Sequence, residues 1–284
     1  MRQNAFVHPR SSLAAKFLGR IANSSTLLRA RRLLFSRLPF LQLHSDVRDV
    51  VYLTWLVDVE SVRHLVPSGV KLWQRGGKTP FTALTYAHGH FGPSGIGALR
   101  SLFPSPLQSN WRLYVEALPG ARPGQRVVLF VKNIMSSALY AIGTRLFSDA
   151  LPTHLASTFR HEKDGGTFVT AIAGGRGSAP SLSYAAQLKN SAELPSNFFG
   201  TFSTWLEAVE FLALQDAAIA QVDDISRMAF AEIELPIDVA TVLPLEVLAG
   251  TLNCPFIEAL GSDRTPLCFV VPKVRFKAVS ERLL

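Results

Sequence analysis

Residues 110–116 read Asn110-Trp111-Arg112-Leu113-Tyr114-Val115-Glu116. Side chains alternate along a strand, so Trp111, Leu113 and Val115 line one face and Arg112, Tyr114 and Glu116 the other. The first set is wholly apolar and must be buried, and a period of two marks a strand. The pattern recurs on both sides of this stretch. Val50–Val57 is a β-branched and aromatic run, and strands are expected near 70–73, 79–88, 126–133, 155–161, 167–173, 182–189, 228–235 and 267–276. Lys163-Asp164-Gly165-Gly166 reads as a hairpin turn, and Pro272 inside the last strand predicts an edge or a bulge. Helices are few. Asp58 caps a short one, 137–148 forms another, and Thr204-Trp205-Leu206-Glu207 has the spacing of a capping box. With no alternation of strands and helices, the class is α+β.

The chain has 284 residues, 48% of them hydrophobic, which excludes a disordered polymer. No apolar run is long enough to span a membrane. Two cysteines, Cys254 and Cys268, cannot build a disulfide framework or a Cys-rich zinc site, so a reducing, cytoplasmic compartment is the default. The net charge of +8 is local. Eight of the 29 Lys and Arg fall in residues 1–45, where there is no acid, leaving 21 basic against 21 acidic residues from Asp46 onward. A neutral body offers no nucleic-acid surface.

Residues 1–45 therefore form a basic leader ahead of a domain at 46–284. Leu13, Phe17, Leu18 and Ile21 fall at helical spacing beside Lys16 and Arg20, and Leu27, Leu28, Leu34 and Phe35 repeat the pattern around Arg31 and Arg32. Three readings stay open: an organellar transit peptide, a segment lying on an anionic membrane surface, and a basic helix covering an edge of the domain.

Four phrases of the body carry a resemblance: Trp55-Leu56-Val57-Asp58 with Leu65-Val66-Pro67-Ser68-Gly69-Val70, the Asn110–Val115 strand, Val127–Asn133, and Gly143-Thr144-Arg145 through Leu151-Pro152. In this order and spacing the chain resembles the uncharacterised YqjF-like family of the acetoacetate decarboxylase-like superfamily, over roughly 46–160, with Pro266–Val274 as a closing strand. The resemblance implies a mainly antiparallel β-cone or barrel around an internal pocket, with a few outer helices. Decarboxylases of the superfamily form a Schiff base with a lysine in a Gly-x-Pro-Lys-Lys segment, which aligns with Leu151-Pro152-Thr153-His154 here. Neither lysine is present, and a hydroxyl or an imidazole cannot form the iminium. Acetoacetate decarboxylation is not expected. These decarboxylases also carry a glutamate in a similar Tyr-x-Glu, which implies a pocket position for Glu116.

Among candidate catalytic residues, Lys132 shares a face with Val128 and Phe130 by strict alternation. It is either a desolvated amine nucleophile or a strand-end lysine whose amine reaches water. Arg112, Tyr114 and Glu116 make a polar cluster if their face is the cavity, and an ordinary outer Arg–Glu pair if it is not. His88 and His90 form His-x-His, a spacing that suits two ligands of one metal, but no third ligand is identifiable and no metal is assigned. His88 then marks a strand end entering the Gly89–Gly97 loop. Gly174-Gly175-Arg176-Gly177 has neither dinucleotide-binding nor P-loop spacing, so no cofactor is implied.

The leading functional reading is a pocket for a small, largely apolar carbonyl or carboxylate ligand, with Arg112, Tyr114 and His88 as binding residues. A second is a lyase or hydrolase using Glu116 with Lys132 or His154. A third is a membrane-surface accessory protein acting through its leader. A homo-oligomer is compatible with all three.

Overall fold

Val50–Val57 lies inside a long first strand because β-branched and aromatic side chains suit a pleated surface packed on both faces. This is seen in a computed structural model that describes residues 4–35, 37–262 and 265–284. Arg2, one of the leader's basic groups, lies outside the described residues. The leader supplies α1 (Leu13–Ala22) and α2 (Ser25–Phe35). The body begins with β1 (Leu43–Asp58), the one-turn α3 (Val59–Val62), β2 (Lys71–Leu72), β3 (Lys78–Ala87) and β4 (Gly92–Pro93). Next come β5 (Leu107–Ala117), β6 (Val127–Met135), α4 (Ala138–Phe147) and β7 (Thr153–Leu155). A hairpin joins β8 (Thr158–Asp164) to β9 (Thr167–Ala173) through Gly165 at φ 57°, as the turn residues predict. The chain ends with β10 (Leu182–Leu188), α5 (Trp205–Ala213), β11 (Ala217–Val222), β12 (Arg227–Glu234), β13 (Leu243–Val247), α6 (Pro255–Glu258) and β14 (Leu267–Leu283).

The strands do not form the closed antiparallel cone or barrel expected from the resemblance. They make one mixed sheet in the order β4-β1-β3-β5-β6-β11-β12-β14-β13-β10-β9-β8, with β2 and β7 attached to β5 and β6. Two pairings, β6 with β11 and β6 with β7, are parallel. The seventeen-residue β14 branches: it pairs with β13 near its start, with β1 over most of its length and with β12 at its end. Beyond that branch the sheet continues to a free edge at β8. Pro272 sits inside β14, where the β1 ladder passes from Arg48↔Lys273 to Val50↔Val271. The intervening Asp49 has φ 53°, and its carbonyl accepts a hydrogen bond from His161 Nε2. A proline is tolerated there because no ladder bond needs its missing N–H.

Both faces of the sheet are packed. One buries Trp55, Phe81, Trp111 and Leu113 with Phe168 and Tyr184 of β9 and β10. The other buries Tyr52, Tyr114, Val128 and Phe269 beneath Val209 and Leu212 of α5. The start of α5 follows its sequence signal: Thr204 Oγ1 accepts from the Glu207 N–H at 3.1 Å, while the Glu207 carboxylate reaches back to the Ser203 N–H. The leader lies on α4. Phe6 and Ala22 join Met135, Ala141 and Leu155 in a small apolar cluster, and the Arg32 guanidinium bridges Asp149 and Asp224, each at 2.7 Å.

Candidate functional site

Strand parity on β5 puts Gln108, Asn110, Arg112 and Tyr114 on one face, and the first three are buried polar groups. Gln108 belongs to a hydrogen-bonded chain that crosses the sheet. Ser45 Oγ contacts His88 Nδ1 at 2.8 Å, and His88 Nε2 meets Gln108 Oε1 at 2.6 Å. Gln108 donates to Asn133 Oδ1 at 2.6 Å, and Asn133 donates to Thr153 Oγ1 at 2.9 Å. An amide oxygen only accepts, so the His88 proton is on Nε2 and Ser45 donates to Nδ1. Every link then points the same way. Burial pushes the His88 imidazole down to about 4, so it is neutral near pH 7. Its ring stacks on Phe91 at 4.3 Å.

Arg112 stands two residues beyond Asn110. Its guanidinium lies over the rings of Tyr52 and Tyr114, 5.4 and 5.6 Å from their centroids. Nη2 donates to the Leu212 carbonyl at 2.7 Å, and Tyr114 Oη donates to the same oxygen at 3.1 Å. That carbonyl belongs to the last turn of α5, where the helix has no internal donor for it. The two side chains thus fasten α5 to the sheet. A carbonyl is not a counter-ion, however. Among the described residues no carboxylate lies within ion-pair distance of Arg112, which remains charged at any ordinary pH. The buried side-chain oxygen of Asn110, on the same face, has no hydrogen-bond partner. Tyr86 and Phe130 pack on this side of the sheet yet keep part of their surface accessible.

Lys132 is not on this face. The β5–β6 ladder pairs Trp111 with Lys132 and then Arg112 with Phe130, leaving Val131 as a bulge. The extra residue reverses the alternation, so Lys132 parts from Val128 and Phe130, with which strict alternation had grouped it. It joins a second polar group instead, formed with Arg145, His154 and Asp223 around the leader's Asn4. Lys132 Nζ donates to Asn4 Oδ1 at 3.0 Å, and Arg145 Nη2 donates to the Asn4 carbonyl at 2.9 Å. Asp223 accepts the Asn4 N–H at 2.8 Å. Burial lowers the Lys132 amine to about 8, with Arg145 adding and Asp223 opposing. His154 is pushed well below the usual imidazole range, first by burial and then by Lys132 and Arg145; its Nδ1 meets Ser178 Oγ at 2.7 Å. A small, shallow cleft open to solvent adjoins this group between the leader and Gln221–Asp224.

The six candidates from the sequence therefore separate. Arg112, Tyr114 and His88 share the face of Tyr52, while Lys132 and His154 meet across the second group. Glu116 stands apart at the exposed end of β5, paired with Lys71 at 2.6 Å and not with Arg112. His90 does not continue the strand of His88: it has φ 51° and is exposed, so the two imidazoles do not form a pair. Among the described residues no three His, Cys, Asp or Glu side chains converge as a metal site requires. Asn110, Gln108 and Asn133 were missed by the sequence reading. Extending the parity of Arg112 four residues upstream finds the first two. Arg145 and Asn4 carried no local signal.

The family model DUF2071, described as an uncharacterized conserved protein, matches residues 44–211. No curated protein matches the chain. Several solved structures are similar over most of their length. The enduracididine biosynthesis enzyme MppR, complexed with the condensation product of pyruvate and imidazole 4-carboxaldehyde, has a TM-score of 0.57 at 13% identity, covering 86% of this chain and 89% of that one. An acetoacetate decarboxylase-like enzyme from Sphingomonas wittichii gives 0.56 at 10%, covering 85% and 92%. The acetoacetate decarboxylase of Legionella pneumophila gives 0.55 at 9%, covering 85% and 86%. At these identities the likeness is one of fold.

Proposed function

The chain belongs to the DUF2071 family and shares a fold with acetoacetate decarboxylase-like proteins, and from this premise we propose that it binds a small carboxylate- or carbonyl-bearing molecule against Arg112. The observation that carries the reading is the buried guanidinium without a carboxylate partner. An uncompensated charge in a low-dielectric interior is costly, and an anionic or strongly dipolar ligand offsets that cost. The unpaired oxygen of Asn110 suits a ligand hydroxyl or a bridging water. Tyr52, Tyr86 and Phe130 provide the apolar wall for the ligand's body. Pyruvate, with which MppR is also described in complex, is of this ligand class.

Binding is favoured over lyase or hydrolase chemistry. Lys132 and His154 face away from Arg112 and Glu116 is exposed, and the resemblance puts Thr153 and His154 where the superfamily's decarboxylases carry their lysines. Calorimetric titration of the whole protein with pyruvate, acetoacetate and longer aliphatic 2-oxo acids tests the reading. The expected result is saturable binding that Arg112→Met abolishes and Asn110→Ala weakens, with acetoacetate left intact. Equal binding by the parent and a folded Asn110→Ala, Arg112→Met double variant, or no binding across the panel, would overturn it.

A further inference from the structure

Large apolar side chains exposed singly are ordinary on protein surfaces. Here they are concentrated. Ten of the nineteen exposed large apolar side chains among the described residues fall within residues 1–45, although that segment is a small part of the chain. On α1 the inward positions are Ala15 and Ala22, with Leu18 and Ile21 beside them. The outward positions are Leu13, Lys16, Phe17 and Arg20, a single helical face at spacings of three and four. Leu13 is 85% exposed and Phe17 63%. On α2, Arg31 and Arg32 turn inward to Asp149 and Asp224, and Leu27, Arg29 and Leu34 turn outward, Leu34 being 68% exposed. The exposed ring of Phe35 meets the exposed ring of Phe147 on α4, which extends the apolar surface onto the body.

We propose that the outer surface of α1 and α2 is a docking face for an anionic lipid bilayer. Two features select this occupant. The leader holds basic groups and no acid, while the rest of the chain is neutral, and Lys16, Arg20 and Arg29 are exposed on these two helices. A polyanion such as nucleic acid would pair with Lys16, Arg20 and Arg29 but leave Leu13, Phe17 and Leu34 in water. A bilayer takes both: headgroup phosphates receive the cations, and the boundary of the acyl chains receives the apolar side chains. Neither helix spans, since no helix among the described residues is long and apolar enough to cross a membrane. The helices lie in the interface, held to the body by the Arg32 bridge.

The test is co-sedimentation of the whole protein with vesicles of phosphatidylcholine alone and of phosphatidylcholine with phosphatidylglycerol. The expected result is binding to the anionic vesicles only, weakened by salt. Lys16→Glu with Arg20→Glu should weaken it by about tenfold or more, and Leu13→Ser with Phe17→Ser by a similar factor at unchanged charge. Circular dichroism and the melting temperature show that each variant is folded. Four results would overturn the proposal: no binding to anionic vesicles at low salt, equal binding by the Leu13/Phe17 variant, tighter binding to duplex DNA than to vesicles, or self-association through this face that persists when vesicles are added.

Discussion

Asn133 donates its side-chain amide to Thr153 Oγ1 across 2.9 Å, and through that bond β7 joins a chain of polar groups that begins at Ser45. Every atom of the chain between His88 and Thr153 is buried with a partner. Replacing Asn133 by leucine keeps most of the volume but strands the Gln108 amide. The variant should lose about 2–4 kcal/mol of stability, because an orphaned buried donor forfeits its hydration without a substitute. Urea denaturation should show a lower midpoint at an unchanged slope. A loss below about 0.5 kcal/mol would mean that the chain is not continuous.

The histidines make stability fall on the acid side. Burial holds His88 at about 4 in the folded protein, whereas the unfolded imidazole titrates near 6.5. The unfolded chain therefore takes up protons that the native state refuses. The contribution of His88 is intact above about pH 6.5, is lost as the pH falls towards 4, and is worth about 3 kcal/mol over that window. His154 and His161, also lowered by burial, act with the same sign. Denaturation at a series of pH values should show this slope. The slope should be shallower in His88→Gln, and an equal slope would place the uptake elsewhere.

Glu116→Gln should be nearly silent. The carboxylate meets Lys71 where both side chains are largely exposed, and such pairs contribute little. Stability within about 0.5 kcal/mol of the parent and unchanged titration by 2-oxo acids are expected. A loss of binding in this variant would return Glu116 to the site.

Arg32→Met should loosen the leader. Its guanidinium bridges two buried carboxylates, Asp149 and Asp224, and so ties α2 to two separate segments of the body. Breaking a buried pair from one side costs about 3 kcal/mol or more. Limited trypsin digestion followed by mass spectrometry should show faster cleavage at Lys16, Arg20 and Arg29 than in the parent. Unchanged cleavage would show that Phe6 and the α1 contacts suffice to hold the segment.

Much of the strand content was legible, because Val50–Val57 and Asn110–Glu116 have a clear alternating or β-branched character. The helix of Trp205–Ala213 was legible from its cap. β11 was not. Ala217, Ala218, Ile219 and Ala220 are all fully buried, and alanine carries no strand signature when burial on both faces removes the alternation. The branched sheet was hidden for another reason: pairing partners such as β6 and β11 lie far apart in sequence, and no local residue records them. For the site, parity placed Arg112 and Tyr114 on one face and Trp111 on the other. The same rule failed for Lys132, since a bulge leaves no mark in Val128-Leu129-Phe130-Val131-Lys132.

The extra residue at Val131 works as an electrical partition. Between Arg112 and Lys132 stand the sheet and its hydrocarbon packing, a medium that keeps water and mobile ions out of the gap while orienting the two cations to opposite sides. Each can then be tuned by its own neighbours, tyrosines on one side and Asp223 with Asn4 on the other. Removing Val131 would erase the partition. The ladder would fall into strict alternation, and the lysine would swing onto the arginine's side, two positive charges on one buried face of the sheet with no acid between them.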